Sequence, residues 1–227
     1  MHIPDGFLSP EVAAGTAVVA AGAVGVGLRR AGSRLDDRVV PLLGVTGAFV
    51  FAAQMLNFPV AGGTSGHFLG AALATVLLGP WLGCLVLAVV LATQSFVFAD
   101  GGVSALGANV VNMGVAGALV TGGLMLAARR VLPRRRGVLL AVAGAGAWLS
   151  VVAGAVGTSL CLALSGTIPL DTVLPAMLGV HVVIAAGEAA ITVAAVSALM
   201  ATRPDLIGAW APTEHKAPNV RPIPQGV

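Results

Sequence analysis

The run GVLLAVAGAGAWLSVVAGAVGTSLCLAL occupies residues 137–164, directly after Arg134-Arg135-Arg136, and it carries no charged residue. About 20 helical residues cross the hydrocarbon core of a bilayer, so this run is long enough to span one. Its length and lack of proline favour a helix over a buried strand. The three arginines hold one end at the membrane surface. Residues 137–164 therefore read as a transmembrane helix.

Outward from that run, apolar stretches of similar character predict helices at about 11–28, 40–57, 67–79, 80–98, 104–128 and 172–201. Hydrophobic residues make up 57% of the chain and charged residues 9%, against about a quarter charged in a soluble domain. The expected class is thus an all-α integral membrane protein with seven transmembrane helices in a cell (plasma or inner) membrane.

All twelve basic residues fall in three groups: Arg29, Arg30, Arg34 and Arg38; Arg129, Arg130, Arg134, Arg135 and Arg136; and Arg203, Lys216 and Arg221. These follow the first, fifth and seventh helices, which end on one face. Basic loops stay cytoplasmic, which places the N-terminus outside and the C-terminus inside. The outer loops then hold Asp5, Glu11, Asp100 and Asp171 and no lysine or arginine. Such a mouth attracts cations. No nucleic-acid partner is expected.

The first residues lack the basic stretch of a signal peptide, so Met1 is expected to remain the first residue. Residues 1–203 read as one transmembrane domain, with 1–10 as its N-terminal segment. From Pro204 to 227, five prolines (Pro204, Pro212, Pro218, Pro222, Pro224) suggest an extended cytoplasmic tail. Cys84 and Cys161 lie in different apolar stretches and read as reduced, buried residues. Ala13, Ala17, Ala21 and Gly25 form a small-residue ladder, suited to packing within the bundle or to docking a second membrane protein.

The third helix is too short to cross: 67–79 would span only about 20 Å. Residues 59–66 would then be non-helical chain below the membrane surface, tolerated only when buried in protein or lining a cavity. Polar side chains gather near the same level. Gln54, Asn57, Gln94, Asn109, Asn112, His67 and His181 all fall in the outer half of the bundle. Polar groups at that depth face the interior, and a cluster of them suggests a site. Glu188, two turns below His181, is either a functional carboxylate or a hydrogen-bonded structural group.

The chain opens Met1-His2-Ile3-Pro4-Asp5-Gly6. The Met1 amine and the His2 backbone nitrogen can close a five-membered ring on a metal ion. The same backbone nitrogen and His2 Nδ1 close a six-membered one. Three nitrogens in a plane suit nickel(II), copper(II) or cobalt(II) and disfavour magnesium or calcium. Met1 to Leu8 can reach ~27 Å when extended, enough to fold back into the bundle. His67 is then placed to supply a fourth nitrogen. His181 is a candidate to orient a ligand. These ligands shed protons on binding, so affinity is expected to fall between roughly pH 8 and 6.

MHIPDGFLSP at the start, QMLNFPVAGGTSGHFLG (54–70), LLGPW (77–81), FADGG (98–102), LGANVVNM (106–113) and GEA (187–189) resemble the substrate-binding components of cobalt/nickel energy-coupling factor transporters, the CbiM/NikM family. The similarity runs in order from Met1 to about Ala201. It implies a seven-helix bundle that binds Co2+ or Ni2+ as transported substrate through Met1, His2 and His67. It also implies a transmembrane coupling (T) component, two cytoplasmic ATPases and often a small accessory membrane protein. This chain itself has no GxxxxGK[ST] loop, and its sole lysine is Lys216, so ATP is not expected to bind here.

Two rival readings exist. An ion-coupled secondary permease would use Glu188 as a proton-linked group. A rhomboid-type intramembrane serine protease would pair Ser65, in Gly63-Thr64-Ser65-Gly66, with His181.

Overall fold

The computed structural model describes residues 1–32, 35–37, 39–56, 58–60 and 64–207, with the backbone alone described at 58–60, 64 and 65. Seven helices make up most of the described residues: α1 (Pro10–Ala31), α2 (Val39–Gln54), α3 (Ala71–Leu78), α4 (Pro80–Val97), α5 (Leu106–Val131), α6 (Arg136–Leu164) and α7 (Leu170–Thr202). Between α2 and α3 lies a hairpin of two three-residue strands, β1 (Phe58–Val60) and β2 (Thr64–Gly66). Five helices have the length and apolarity to cross a membrane.

The ends of the helices follow from local chemistry. Ser9 caps α1, accepting from the Val12 N–H, and Pro10 supplies a first-turn residue that has no N–H to lose. The arginines Arg29 and Arg30 sit in the last turn of α1, and Arg129 and Arg130 in that of α5, where cations complement the helix dipole. Arg30 also stacks on Trp81, 4.6 Å from the ring centroid.

Two helix boundaries differ from the sequence expectation. The third helix begins at Ala71, not at residue 67, because Gly70 takes φ +80 and interrupts the helical path. A Cβ at Gly70 would fall 2.7 Å from Val50, so no larger residue fits. The second helix stops at Gln54, and Asn57 lies outside the described residues. After α7, Pro204–Leu206 forms a 3-10 turn and Ile207 is buried against the core. The tail beyond residue 207, with His215 and Lys216, lies outside the described residues.

α3 is short but central. Every one of its residues is buried, and it packs on α4, α5 and α6. The most hydrophobic stretch of α6 is 56% buried, whereas that of α1 is only 11% buried. Peripheral apolar side chains such as Val18, Phe49, Val89, Phe96 and Leu126 are exposed, as suits a lipid-facing surface. Of the small-residue ladder, Ala17 meets Gly107 at the start of α5, where a Cβ would come within 2.5 Å of the Ala17 backbone. That part of the ladder packs inside the bundle. Cys84 and Cys161 are free and buried.

Candidate metal-capturing site

The first nine residues do not hang free. Pro4 restricts Ile3 to an extended conformation, and Gly6, at φ +81, provides the reversal after it. This strap enters the bundle between α5 and the α4–α5 loop. The Asn109 side chain grips Ile3 on both sides, its Oδ1 accepting from the Ile3 N–H at 2.9 Å and its Nδ2 donating to the Ile3 carbonyl at 3.2 Å. The Gly102 N–H donates to the same carbonyl at 2.9 Å. Gly102 must be glycine, since a Cβ there would lie 2.4 Å from the Asp5 nitrogen.

Further out, the Asp5 carboxylate accepts from the backbone N–H groups of Val103 and Ser104 and from the Ser104 hydroxyl. The hydrogen bonds from Ser104 hold its pKa below the usual value. Thr167 donates its hydroxyl to the Phe7 carbonyl. So anchored, Met1 and Ile3 are fully buried and His2 is 4% exposed. The Met1 sulfur packs over Gly154 of α6, in space that a side chain there would occupy.

A second extended segment meets the strap. Residues 67–70 run from the hairpin into α3, and their backbone groups need partners in an apolar interior. Glu188 of α7 accepts from the Leu69 N–H at 2.5 Å and the Gly70 N–H at 2.9 Å. Gln54 of α2 donates to the Leu69 carbonyl at 2.7 Å. The open question about Glu188 thereby has a structural answer: it caps the first turn leading into α3. More than a hundred residues separate it from Gly70, so no sequence spacing points to the pairing.

These two segments bring His2 and His67 face to face, with ring centroids 4.5 Å apart and an interplanar angle of 23°. Their hydrogen bonds fix which nitrogen of each ring is the donor. His2 Nε2 lies 3.1 Å from the carboxamide oxygen of Gln94, which only accepts. Nε2 therefore carries the proton, and His2 Nδ1 presents a lone pair. His67 Nδ1 donates to the Phe68 carbonyl at 2.7 Å, which leaves Nε2 with the lone pair. That Nε2 is buried and has no hydrogen-bond partner among the described residues.

Burial lowers the Met1 amine pKa from 8.0 to about 4, and the nearby Asp100 carboxylate opposes the shift. His2 falls from 6.5 to about 3, through burial first and then the neighbouring amine. Both groups are thus neutral nitrogen donors at physiological pH. Among the described residues no group of three His, Cys, Asp or Glu side chains is placed to hold a metal ion. The nitrogens at hand are instead the Met1 amine, the His2 backbone and ring, and His67.

The remaining candidates sort differently. His181 is buried on α7, with Nδ1 donating to the Met177 carbonyl at 2.7 Å. Asn109 and Asn112 lie three residues apart on α5, yet Asn112 turns toward α6 and donates to the Cys161 sulfur at 3.6 Å. The π-helical segment Val110–Val115 intervenes, and its wider turn rotates residues three apart away from each other. Ser65 stands opposite Pro59 in the hairpin register, and its side chain lies outside the description. Sequence reasoning missed the anchoring roles of Asp5 and Thr167, and the nearness of Asp100 to His2.

The family model for the cobalt uptake substrate-specific transmembrane region, CbiM, matches residues 2–206. The chain belongs to this family. A protein of Haloquadratum walsbyi named for metal transport is 40% identical over 97% of this chain and 100% of its own length. A fused nickel transport protein NikMN of Rhodobacter capsulatus is 34% identical over 91% of this chain, which spans 64% of that relative. The crystal structure of a truncated transition metal transporter superposes with a TM-score of 0.81 at 30% identity, covering 88% of this chain and 99% of that one. As a CbiM-family member with several apolar helices, the protein is a multi-pass membrane protein.

Proposed function

We propose that this protein is the substrate-capture subunit of an ATP-driven energy-coupling factor uptake transporter and binds Co2+ or Ni2+ from the outer side of the cell membrane. The ion is held by four nitrogens: the Met1 amine, the His2 backbone nitrogen, His2 Nδ1 and His67 Nε2. One observation carries this reading. Two buried imidazoles meet at the chain's own amino terminus, each with its other nitrogen committed to a hydrogen bond. A ligating imidazole takes this arrangement when an outer partner fixes its tautomer. The stacked rings must turn edge-on to share one ion.

The N-terminus lies outside and the C-terminus in the cytoplasm, on the arginine distribution. Residues 1–203 form the membrane domain, and the segment to residue 227 is a cytoplasmic tail. With no phosphate-binding loop in the sequence, energy comes from two cytoplasmic ATPases acting through a transmembrane coupling component. A small accessory membrane protein completes the complex, in keeping with the fused architecture named in the R. capsulatus relative. Both Glu188 oxygens accept backbone N–H groups, a structural role that accounts for this buried carboxylate without a proton-linked permease. The protease reading draws no support from relatives named for transport.

The test is metal analysis of the purified protein together with the visible absorption of its nickel complex. A single bound ion with the absorption of planar four-nitrogen nickel is expected. An octahedral oxygen-type spectrum would overturn the ligand set.

A further inference from the structure

We propose that Asp100 is the group that admits the cation to the chelate and balances its charge there, a role that rests on the four-nitrogen reading above. Asp100 Oδ1 lies 3.3 Å from His2 Nδ1. Gln94 accepts the proton on the other ring nitrogen, so the atom facing the carboxylate is a lone pair. A cation lying beside the carboxylate and the ring nitrogen is attracted by both. The charge of the same carboxylate also acts on the Met1 amine.

The loop that carries Asp100 is built to hold it there. The Asp100 N–H donates to the Gln94 carbonyl at 3.0 Å, and the Ser95 hydroxyl to the Gly101 carbonyl at 3.1 Å. Ala99 takes φ +53, a conformation unfavourable for a residue with a Cβ, and Gly101 follows at φ +91. Gln94 therefore sets both halves of the pair. Its side chain orients His2, and its backbone oxygen fixes Asp100.

Exposure gives the direction of travel. The Asp100 side chain is 17% exposed and that of His2 4%, so the carboxylate is the outer member. A hydrated divalent ion meets this anionic oxygen before it meets the neutral nitrogens behind it. Charge arithmetic supplies the second half of the role. The ion brings +2, and the His2 backbone nitrogen, whose proton leaves to water, brings −1. The amine and both imidazoles are neutral. A net +1 buried without a partner is costly, and Asp100 brings the sum to zero.

The experiment uses the full chain in detergent with nickel(II) as probe, in the wild type, Asp100→Asn, Asp100→Glu and His67→Ala. Melting temperature and elution volume establish folding. Stopped-flow absorption gives the on-rate, and equilibrium dialysis the affinity. Asp100→Asn is expected to keep the planar four-nitrogen spectrum at saturating nickel. Its on-rate should fall at least about tenfold and lose its salt dependence, with affinity also about tenfold weaker. Asp100→Glu should recover most of the on-rate. An on-rate and affinity within about twofold of wild type would overturn the role, as would loss of the planar spectrum in folded Asp100→Asn. The wild-type on-rate supplies a reading that needs no variant. It should fall with ionic strength, and a flat profile overturns the role. A wild type without the planar spectrum overturns the chelate itself, and His67→Ala separates that failure from a failure at Asp100.

Discussion

The two extended segments that meet at the site differ in how they are held. The strap at residues 1–9 leads into α1. Its outer half is tied at the rim, where Asp5 meets the exposed Ser104 and Thr167 meets Phe7, and its inner half in the interior, where Asn109 holds Ile3 and Gln94 meets His2. Residues 67–70 are attached at both ends and tied deep in the core by Glu188 and Gln54, which are 1% and 0% exposed. Rim hydrogen bonds exchange readily with water, whereas core ones have no substitute. In the proposed site the segment at residues 67–70 presents one nitrogen, His67 Nε2, and the strap brings the other three.

The sharpest attempt to break this contrast alters the strap's first atom. One residue added ahead of Met1, or acetylation of its amine, leaves every side chain in place but removes the amine and its five-membered ring. Metal binding is expected to fall by more than about 100-fold, since changes outside the ligand shell alone cost 10–100-fold. A tag at the C-terminus should be tolerated. Undiminished nickel uptake by a verified N-terminal extension would show that the strap contributes side chains only.

His67→Ala attacks the segment at residues 67–70. Its loss removes one donor, and affinity by equilibrium dialysis should drop about 100-fold or more while melting changes little. Wild-type affinity in this variant would take His67 out of the ligand set.

Stability should separate the two segments. Glu188→Ala leaves the Leu69 and Gly70 N–H groups unsatisfied in the core, at about 1–3 kcal/mol each, and should lower the melting temperature of the whole bundle. Asp5→Ala should leave that temperature nearly unchanged while speeding hydrogen exchange in residues 1–8. Equal global effects from both would erase the distinction between rim and core anchoring.

The smallest effect concerns protons. A free strap would hold its protons up to the ordinary values of 8.0 and 6.5, whereas docked Met1 and His2 titrate near 4 and 3. The undocked state binds more protons, so docking strengthens as pH rises and weakens as it falls from 8 toward 4. At pH 7 an ion entering a docked site should release about one proton, from the His2 amide, against about two from a free strap. Calorimetry in two buffers of different ionisation enthalpy measures the difference. The fall in affinity expected from sequence between pH 8 and 6 assumed ordinary pKa values, and burial moves the docked groups' titration below that range.

Much of the architecture was legible from composition and pattern. Apolar runs marked seven helical segments, because lipid leaves a spanning chain few choices besides a helix. His2 beside the amine is what suggests the proposed chelate, because two ring closures depend on covalent connectivity alone. The strap's reversal at Pro4-Asp5-Gly6 was readable for the same local reason. Tertiary structure alone decided the rest. Glu188 meets Gly70 across 118 residues, and Asp100 meets His2 across a loop that only the packing of α4 and α5 brings near. Asn112 left the face it shares with Asn109 through a π turn, and α3 lost four residues to the left-handed Gly70. Local chemistry names the groups that can bind an ion, but long-range packing sets which ones face each other, how dry they are and which nitrogen keeps its lone pair.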